Sequence, residues 1–232
     1  MTPLAEPVVA VVPVREGSSR IKDKNFVPFG GYPTLVHQKI QHLKDAGCFE
    51  HIYLSSDSAR VRAIAEECGV DFLPREPLMC TGGPRWDEVV VHVLNTVPGN
   101  PHVLWAMVTS PIFRRYREAV ECYAQQRDRH DSLVTVKPIR EYLVDEAGRP
   151  LFYGFGVWHP YSNELKSLFA INDAVFIARK SDQLQWRYWI GRTPYLLHCD
   201  PLESIDVNFP EDLELAQAAE QLLRARATEV RP

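Results

Sequence analysis

The sequence predicts an α/β fold of three layers, Rossmann-like, with a mainly parallel sheet between helices. Three features predict it. Apolar, β-branched runs alternate with amphipathic stretches of about 10–15 residues, the pattern of repeated βαβ units. The first run, residues 8–14, has no polar member, as a strand covered on both faces requires. Glycines stand where helical periods stop, at positions 47 and 69.

Residues 8–14 form the first strand, and a polar loop follows over 15–25. Thr34, Leu35, His37, Ile40, Leu43 and Ala46 recur at helical spacing up to Gly47. Residues 51–55 read as a strand, 58–68 as an amphipathic helix closed by Gly69, and 70–73 as the third strand. A helix over 87–97, a strand over 103–108, a helix over 114–127 and a strand over 132–136 continue the alternation. It lapses between about 138 and 192, where Glu146-Ala147-Gly148-Arg149 reads as a hairpin turn. Residues 142–189 are a fifth of the chain yet hold 11 of its 24 aromatic residues. Aromatic side chains concentrate in cores and interfaces, so this excursion is expected to form a small second core that also walls a ligand site. Strands over 174–178 and 195–199 and a helix from 210 to about 226 restore the order. One domain over residues 1–232 is expected, with the excursion inside it.

Composition excludes several classes. The chain of 232 residues is 45% hydrophobic and 24% charged, a globular balance. Its net charge of −4 offers nucleic acid no attractive field. The longest apolar run is far short of the about 20 residues of a membrane span, and Glu6 ahead of it does not suit a signal peptide. The five cysteines are never closer than 12 positions, so no zinc or CxxC spacing exists. A reduced, cytoplasmic protein without membrane or nucleic-acid partners is expected.

An open α/β sheet binds ligands beyond the carboxyl ends of its strands. The first such end carries Arg15, Gly17, Ser18, Ser19, Arg20, Lys22, Lys24 and Asn25 within eleven residues. Glycine lets backbone N–H groups approach phosphate oxygens, and the cations offset their charge. Neither GxxxxGK[ST] nor GxGxxG is present, so the two commonest phosphate loops are excluded. A charged, solvated turn is the competing interpretation of such a cluster.

The spelling decides between them. Pro13-x-Arg15-x-Gly17-Ser18-x5-Lys24-Asn25 resembles the signature loop of the cytidylyltransferases that make CMP-sialic acid and CMP-Kdo. Ser55-Ser56-Asp57, Arg75-x-Pro77 with Thr81, Thr109-Ser110-Pro111, Asn172-Asp173-Ala174 and the closing Ser204-Ile205-Asp206-x5-Asp212-Leu213 resemble further family segments in order. The resemblance implies a nucleotidyltransferase fold and CTP as substrate. It implies Arg15 and Lys24 as catalytic contacts to the triphosphate. Gly17, Ser18 and Asn25 would help bind the nucleotide, and Arg75 and Thr81 would line its cytidine side. Asp206 would bind Mg²⁺, and the aromatic excursion would help form a homodimer. The implied reaction is attack of an acceptor hydroxyl on the α-phosphorus with loss of pyrophosphate, in which positioning and electrostatics dominate.

Three departures from the family pattern fall on the acceptor side. Asn208 stands where sialic acid members often carry a second aspartate. Met107-Val108 replaces a Gln-Pro pair before Thr109, and Asp173 replaces a glycine. Small-molecule acceptor contacts are therefore expected from Asn172 and Asp173, with Lys137 and Arg140 as candidate cations for an acidic sugar. A cytidylyltransferase for a phosphonate or polyol phosphate, and a nucleotide-binding protein without turnover, are the competing functions.

Overall fold

The computed structural model describes residues 4, 6–18 and 20–229, so Ser19 of the basic loop lies outside the described residues. Seven strands form one sheet in the order β3-β2-β1-β4-β6-β5-β7. They are β1 (Val8–Pro13), β2 (His51–Ser56), β3 (Asp71–Pro74), β4 (His102–Ala106), β5 (Ser132–Ile139), β6 (Leu168–Arg179) and β7 (Pro194–His198). All pairings are parallel except those of β6, which runs antiparallel to both β4 and β5. The helices are α1 (Leu35–Ala46), α2 (Ala59–Cys68), α3 (Trp86–Thr96), α4 (Tyr116–Gln126), α5 (Lys180–Trp186) and α6 (Pro210–Glu229).

The three layers follow from the alternation along β1. Val8, Ala10 and Val12 join a core with α1, α2, α4 and α6, whereas Val9 and Val11 join a second core with α3. Both faces of the sheet are thus covered, and an all-apolar strand has nowhere to place a polar side chain. Local signals set the helix ends. Thr34 and Ser58 accept the N-terminal amides of α1 and α2, while Gly47 and Gly69 close them in the left-handed conformation.

The second half differs from the sequence expectation in two elements. β6 begins at Leu168, six residues before the predicted 174–178, because its first half is partly exposed and lacks the continuous apolar run of the interior strands. α5 was not predicted: it has only seven residues, too few for a helical period to declare itself. A register shift opens β5 against β6 between Val134 and Val136. The Thr135 hydroxyl fills it, donating to the Asn172 carbonyl at 2.6 Å and accepting the Val175 amide at 3.0 Å.

Candidate active site

The chain winds outward from β1 through β2 to β3, then returns to β4 on the other side of β1. The loops after β1 and β4 therefore flank a topological switch point, where an open sheet leaves a crevice. Because β6 is reversed, its early residues reach this same end, beside the residues that follow β5 and β7.

Gly17 in the loop after β1 has φ +75°, and open space surrounds the position of a β-carbon. Backbone conformation, not crowding, favours glycine there. Asn25 is buried and donates to the Arg15 carbonyl at 3.0 Å, folding the loop back on itself. The Lys24 ammonium donates to the Val207 carbonyl at 2.6 Å. Burial lowers the Lys24 pKa and the Arg20 and Arg15 charges add to this, while Asp206 and Asp212 oppose it. Arg20 donates to the Asn208 side-chain oxygen at 3.2 Å and lies over the Phe209 ring. The basic loop and the closing segment thus meet, though about 180 residues separate them in sequence.

Two clefts open at this end. One of about 420 Å³ is lined by Arg15, Gly17, Asp57, Ser58, Cys80 and Thr81, among others. Ser58 donates to Glu16 at 2.5 Å, tying the loop to the start of α2. Thr81 donates to the Leu78 carbonyl at 2.8 Å and accepts the Gly83 amide. Arg75 stands behind this cleft: it is buried and donates to the Val14 carbonyl at 2.7 Å and to the Cys80 sulfur at 2.9 Å. Burial raises the Cys80 pKa.

The second cleft, about 710 Å³, is lined by Lys137, Asn172, Asp173, Asp206, Asn208 and Phe209, among others. Arg140 is exposed beyond the end of β5 and is not part of this lining. The Asn172 side-chain oxygen accepts the Ala174 amide at 2.9 Å, so it holds the irregular stretch of β6 that presents Asp173. Asp173 opens to the cleft, yet its concave surroundings and then the Asp206 charge raise its pKa. Asp212 accepts the Asn208 and Phe209 amides at 2.9 and 2.8 Å, a cap for α6.

Among the described residues, no group of three or more His, Cys, Asp and Glu side chains is placed to hold a metal ion. Asp206 nevertheless presents a single fitting ligand. One of its oxygens accepts from the Asn208 amide, and the other is buried without a hydrogen-bond partner. A buried, unpartnered carboxylate oxygen suits a hard cation that takes one protein carboxylate and completes its shell from phosphate and water.

The sequence expectation named Arg15, Gly17, Ser18, Lys24, Asn25, Thr81, Lys137, Asn172, Asp173 and Asp206, and the structure brings these to one end of the sheet. It did not single out Asp57, Ser58 or Cys80 as lining residues. The Ser55-Ser56-Asp57 segment at the end of β2 was the available signal for the first of these.

A basic loop at the switch point, facing an acidic segment across a strand end, belongs to the nucleotide-handling class of α/β proteins. A family model described as Cytidylyltransferase matches residues 9–137, and the chain belongs to the cytidylyltransferase family. It is 25% identical over 218 residues to the N-acylneuraminate cytidylyltransferase of Streptococcus agalactiae, covering 88% of this chain and 51% of that protein. The chain therefore spans about half the length of that relative. It is 28% identical over 234 residues to the CMP-N,N'-diacetyllegionaminic acid synthase of Legionella pneumophila, covering 93% of this chain and 97% of that one. In fold it is similar to a CMP:2-keto-3-deoxy-manno-octonic acid synthetase solved with CTP, at a TM-score of 0.66 and 15% identity, covering 95% and 99% of the two chains.

Proposed function

We propose that this protein transfers CMP from CTP to a hydroxyl of a sugar acid, releasing pyrophosphate, for surface polysaccharide synthesis. The observation that carries this reading is the bond from Lys24 to the Val207 carbonyl, which sets the basic loop beside Asp206 with a cleft on either side. Relatives whose names specify CMP-sugar acids support it.

In this reading the smaller cleft takes the nucleotide and the larger one the acceptor. Arg15, Ser18 and the amides around Gly17 bind phosphate oxygens, and Lys24 offsets charge that builds on the leaving group. Thr81 borders the nucleoside. Arg75 acts from behind, holding the end of β1 against the 77–80 turn. The acceptor hydroxyl oxygen forms a bond to the α-phosphorus, the bond from that phosphorus to the bridging oxygen breaks, and the hydroxyl proton is lost. Asp206 would hold Mg²⁺, which when bound would neutralise phosphate charge. Lys137 and Arg140 are the cations offered to an acidic acceptor, and Asn172 shapes the wall that carries Asp173.

No helix of the described residues is long and apolar enough to cross a membrane. The five free thiols support a cytoplasmic setting for this reaction. The excursion exposes Val157, Trp158 and Tyr161 almost fully, at 93%, 80% and 78%. So much apolar surface in one stretch supports pairing with a second copy of the chain.

Pyrophosphate release with Mg²⁺ and CTP, across a panel of nine-carbon and eight-carbon sugar acids, phosphonates and polyol phosphates, tests the proposal. Release with one sugar acid, lost with UTP and in Asp206→Ala, is the expected result. Release only with a phosphonate or polyol phosphate overturns the acceptor class, and silence with retained CTP binding overturns the transferase.

A further inference from the structure

Lys39 lies on the buried face of α1, in register with Val36, Ile40 and Leu43. It is 1% exposed. Its ammonium donates to the Ser110 carbonyl at 2.8 Å and to the Tyr116 hydroxyl at 2.5 Å. Among the described residues no acidic side chain offsets its charge, and burial pushes its pKa down to about 7. Removing a lysine from water without a carboxylate partner costs stability, and a chain selected for stability alone would place an apolar residue there.

What Lys39 holds is informative. Ser110 belongs to the turn after β4, and the preceding Thr109 carbonyl accepts the Val207 amide at 2.7 Å. The Val207 carbonyl in turn accepts from Lys24. A continuous path therefore runs from Lys39 through the 109–110 backbone to the segment carrying Asp206 and to the basic loop. Tyr116, the second acceptor, is the first residue of α4.

We propose that Lys39 is a positioning residue for the transfer reaction, anchoring the 109–110 turn from behind so that residues 205–208 and Lys24 keep their places. The inference rests on the function proposed above. Lys39 touches neither substrate nor reacting atoms. Its two hydrogen bonds tie the turn on which the Val207 amide hangs to the start of α4. A rigid support behind such groups is what positional catalysis requires.

The test is Lys39→Met, which keeps the length and volume of the side chain but removes its donors and charge. Three readings are taken on the full chain: thermal unfolding, deuterium exchange of peptides spanning 204–209, and the kinetics of pyrophosphate release at varied Mg²⁺ and CTP. The expected result is an unfolding temperature held or raised, exchange over 204–209 faster by about tenfold, and kcat lower by about tenfold, the scale of one lost hydrogen bond to a charged group. The KM for CTP should stay within about twofold, since the smaller cleft is built on other loops. Lys39→Gln, which retains a donor, should recover part of both losses and provides the same readings if the methionine variant does not fold. Unchanged exchange and kcat overturn the proposal. So does parallel loss of unfolding temperature, CTP binding and kcat, which marks a merely structural lysine. If the unaltered protein releases no pyrophosphate with any acceptor, the functional reading fails by itself, and the exchange measurement still decides whether Lys39 holds the segment.

Discussion

The two clefts at the carboxyl end of the sheet differ in what lines them. The smaller presents Arg15 and the hydroxyls of Ser58 and Thr81 beside Glu16 and Asp57, on loops following β1, β2 and β3. The larger gathers Asp173, Asp206 and Asp212 around a single lysine, Lys137, with Phe209 and Leu215 as apolar wall. In the function proposed above, a triphosphate would use the Arg15 charge and the hydroxyl donors of the smaller cleft, and a hydroxyl-rich acceptor and a cation would use the carboxylates of the larger. The closing segment lines the larger cleft, and the Lys24 bond to the Val207 carbonyl ties it to the basic loop whose Arg15 and Gly17 line the smaller. In that reading the chain divides binding of nucleotide and acceptor between two halves of one sheet, and the Lys24 bond to Val207 joins them.

Substitutions at the join should break this division most severely. Arg15→Ala, Lys24→Ala and Asp206→Ala are each expected to lower kcat by about 10²–10³, the usual cost of removing a group that stabilises developing charge. Lys24→Ala should also raise the KM for both substrates, whereas Arg15→Ala should spare the acceptor. Steady-state kinetics with each substrate varied in turn reads the difference.

A smaller effect, confined to one side, sharpens the comparison. Asp173→Gly should change the acceptor KM by about tenfold and leave the KM for CTP within about twofold, since Asp173 lines only the larger cleft. An equal change in both constants would remove the division.

Stability offers a third view, through histidines far from both clefts. Burial holds His42 down to about 3 and His102 down to about 4, against an ordinary value of 6.5. The unfolded chain therefore binds more protons than the folded one between those values, and stability falls as pH drops from 6.5 towards 4. Lys39 acts in the same direction higher up: with a folded value of about 7 against 10.5, it adds stability as pH rises through that window. Urea midpoints across the two windows should show both slopes, and Lys39→Met should flatten the upper one. The smallest expected effect is Gly17→Ala, about 1 kcal/mol from the left-handed backbone, with a weaker grip on CTP.

The first half of the fold was legible because its signals are local. Strands covered on both faces carry unbroken apolar runs, and Thr34, Gly47, Ser58 and Gly69 mark helix ends by their own hydrogen bonds or conformations. The early part of β6 was not, because it is exposed at alternate positions and its pairing with β5 is interrupted. In the site, the loop with Arg15 and Gly17 stood out by residue type and by its position after β1, whereas Asp206 was named only through the family resemblance. The direction of the Arg75 side chain was not, since a cation after a strand end can face a ligand or, as here, the neighbouring backbone. Lys39 left a faint trace, a lysine within an apolar helical stripe, which becomes meaningful only when the turn it supports is seen.

The reversal of β6 has a consequence for how such a protein diversifies. A parallel strand would deliver its final residues to the ligand end and lead straight into a helix. Running the other way, β6 arrives there with its first residues, fed directly by the segment after β5. The family match ends at 137, where that segment begins. In the function proposed above, a change in the stretch entering β6 would alter what stands opposite the nucleotide without touching the loops that follow β1, β2 and β3.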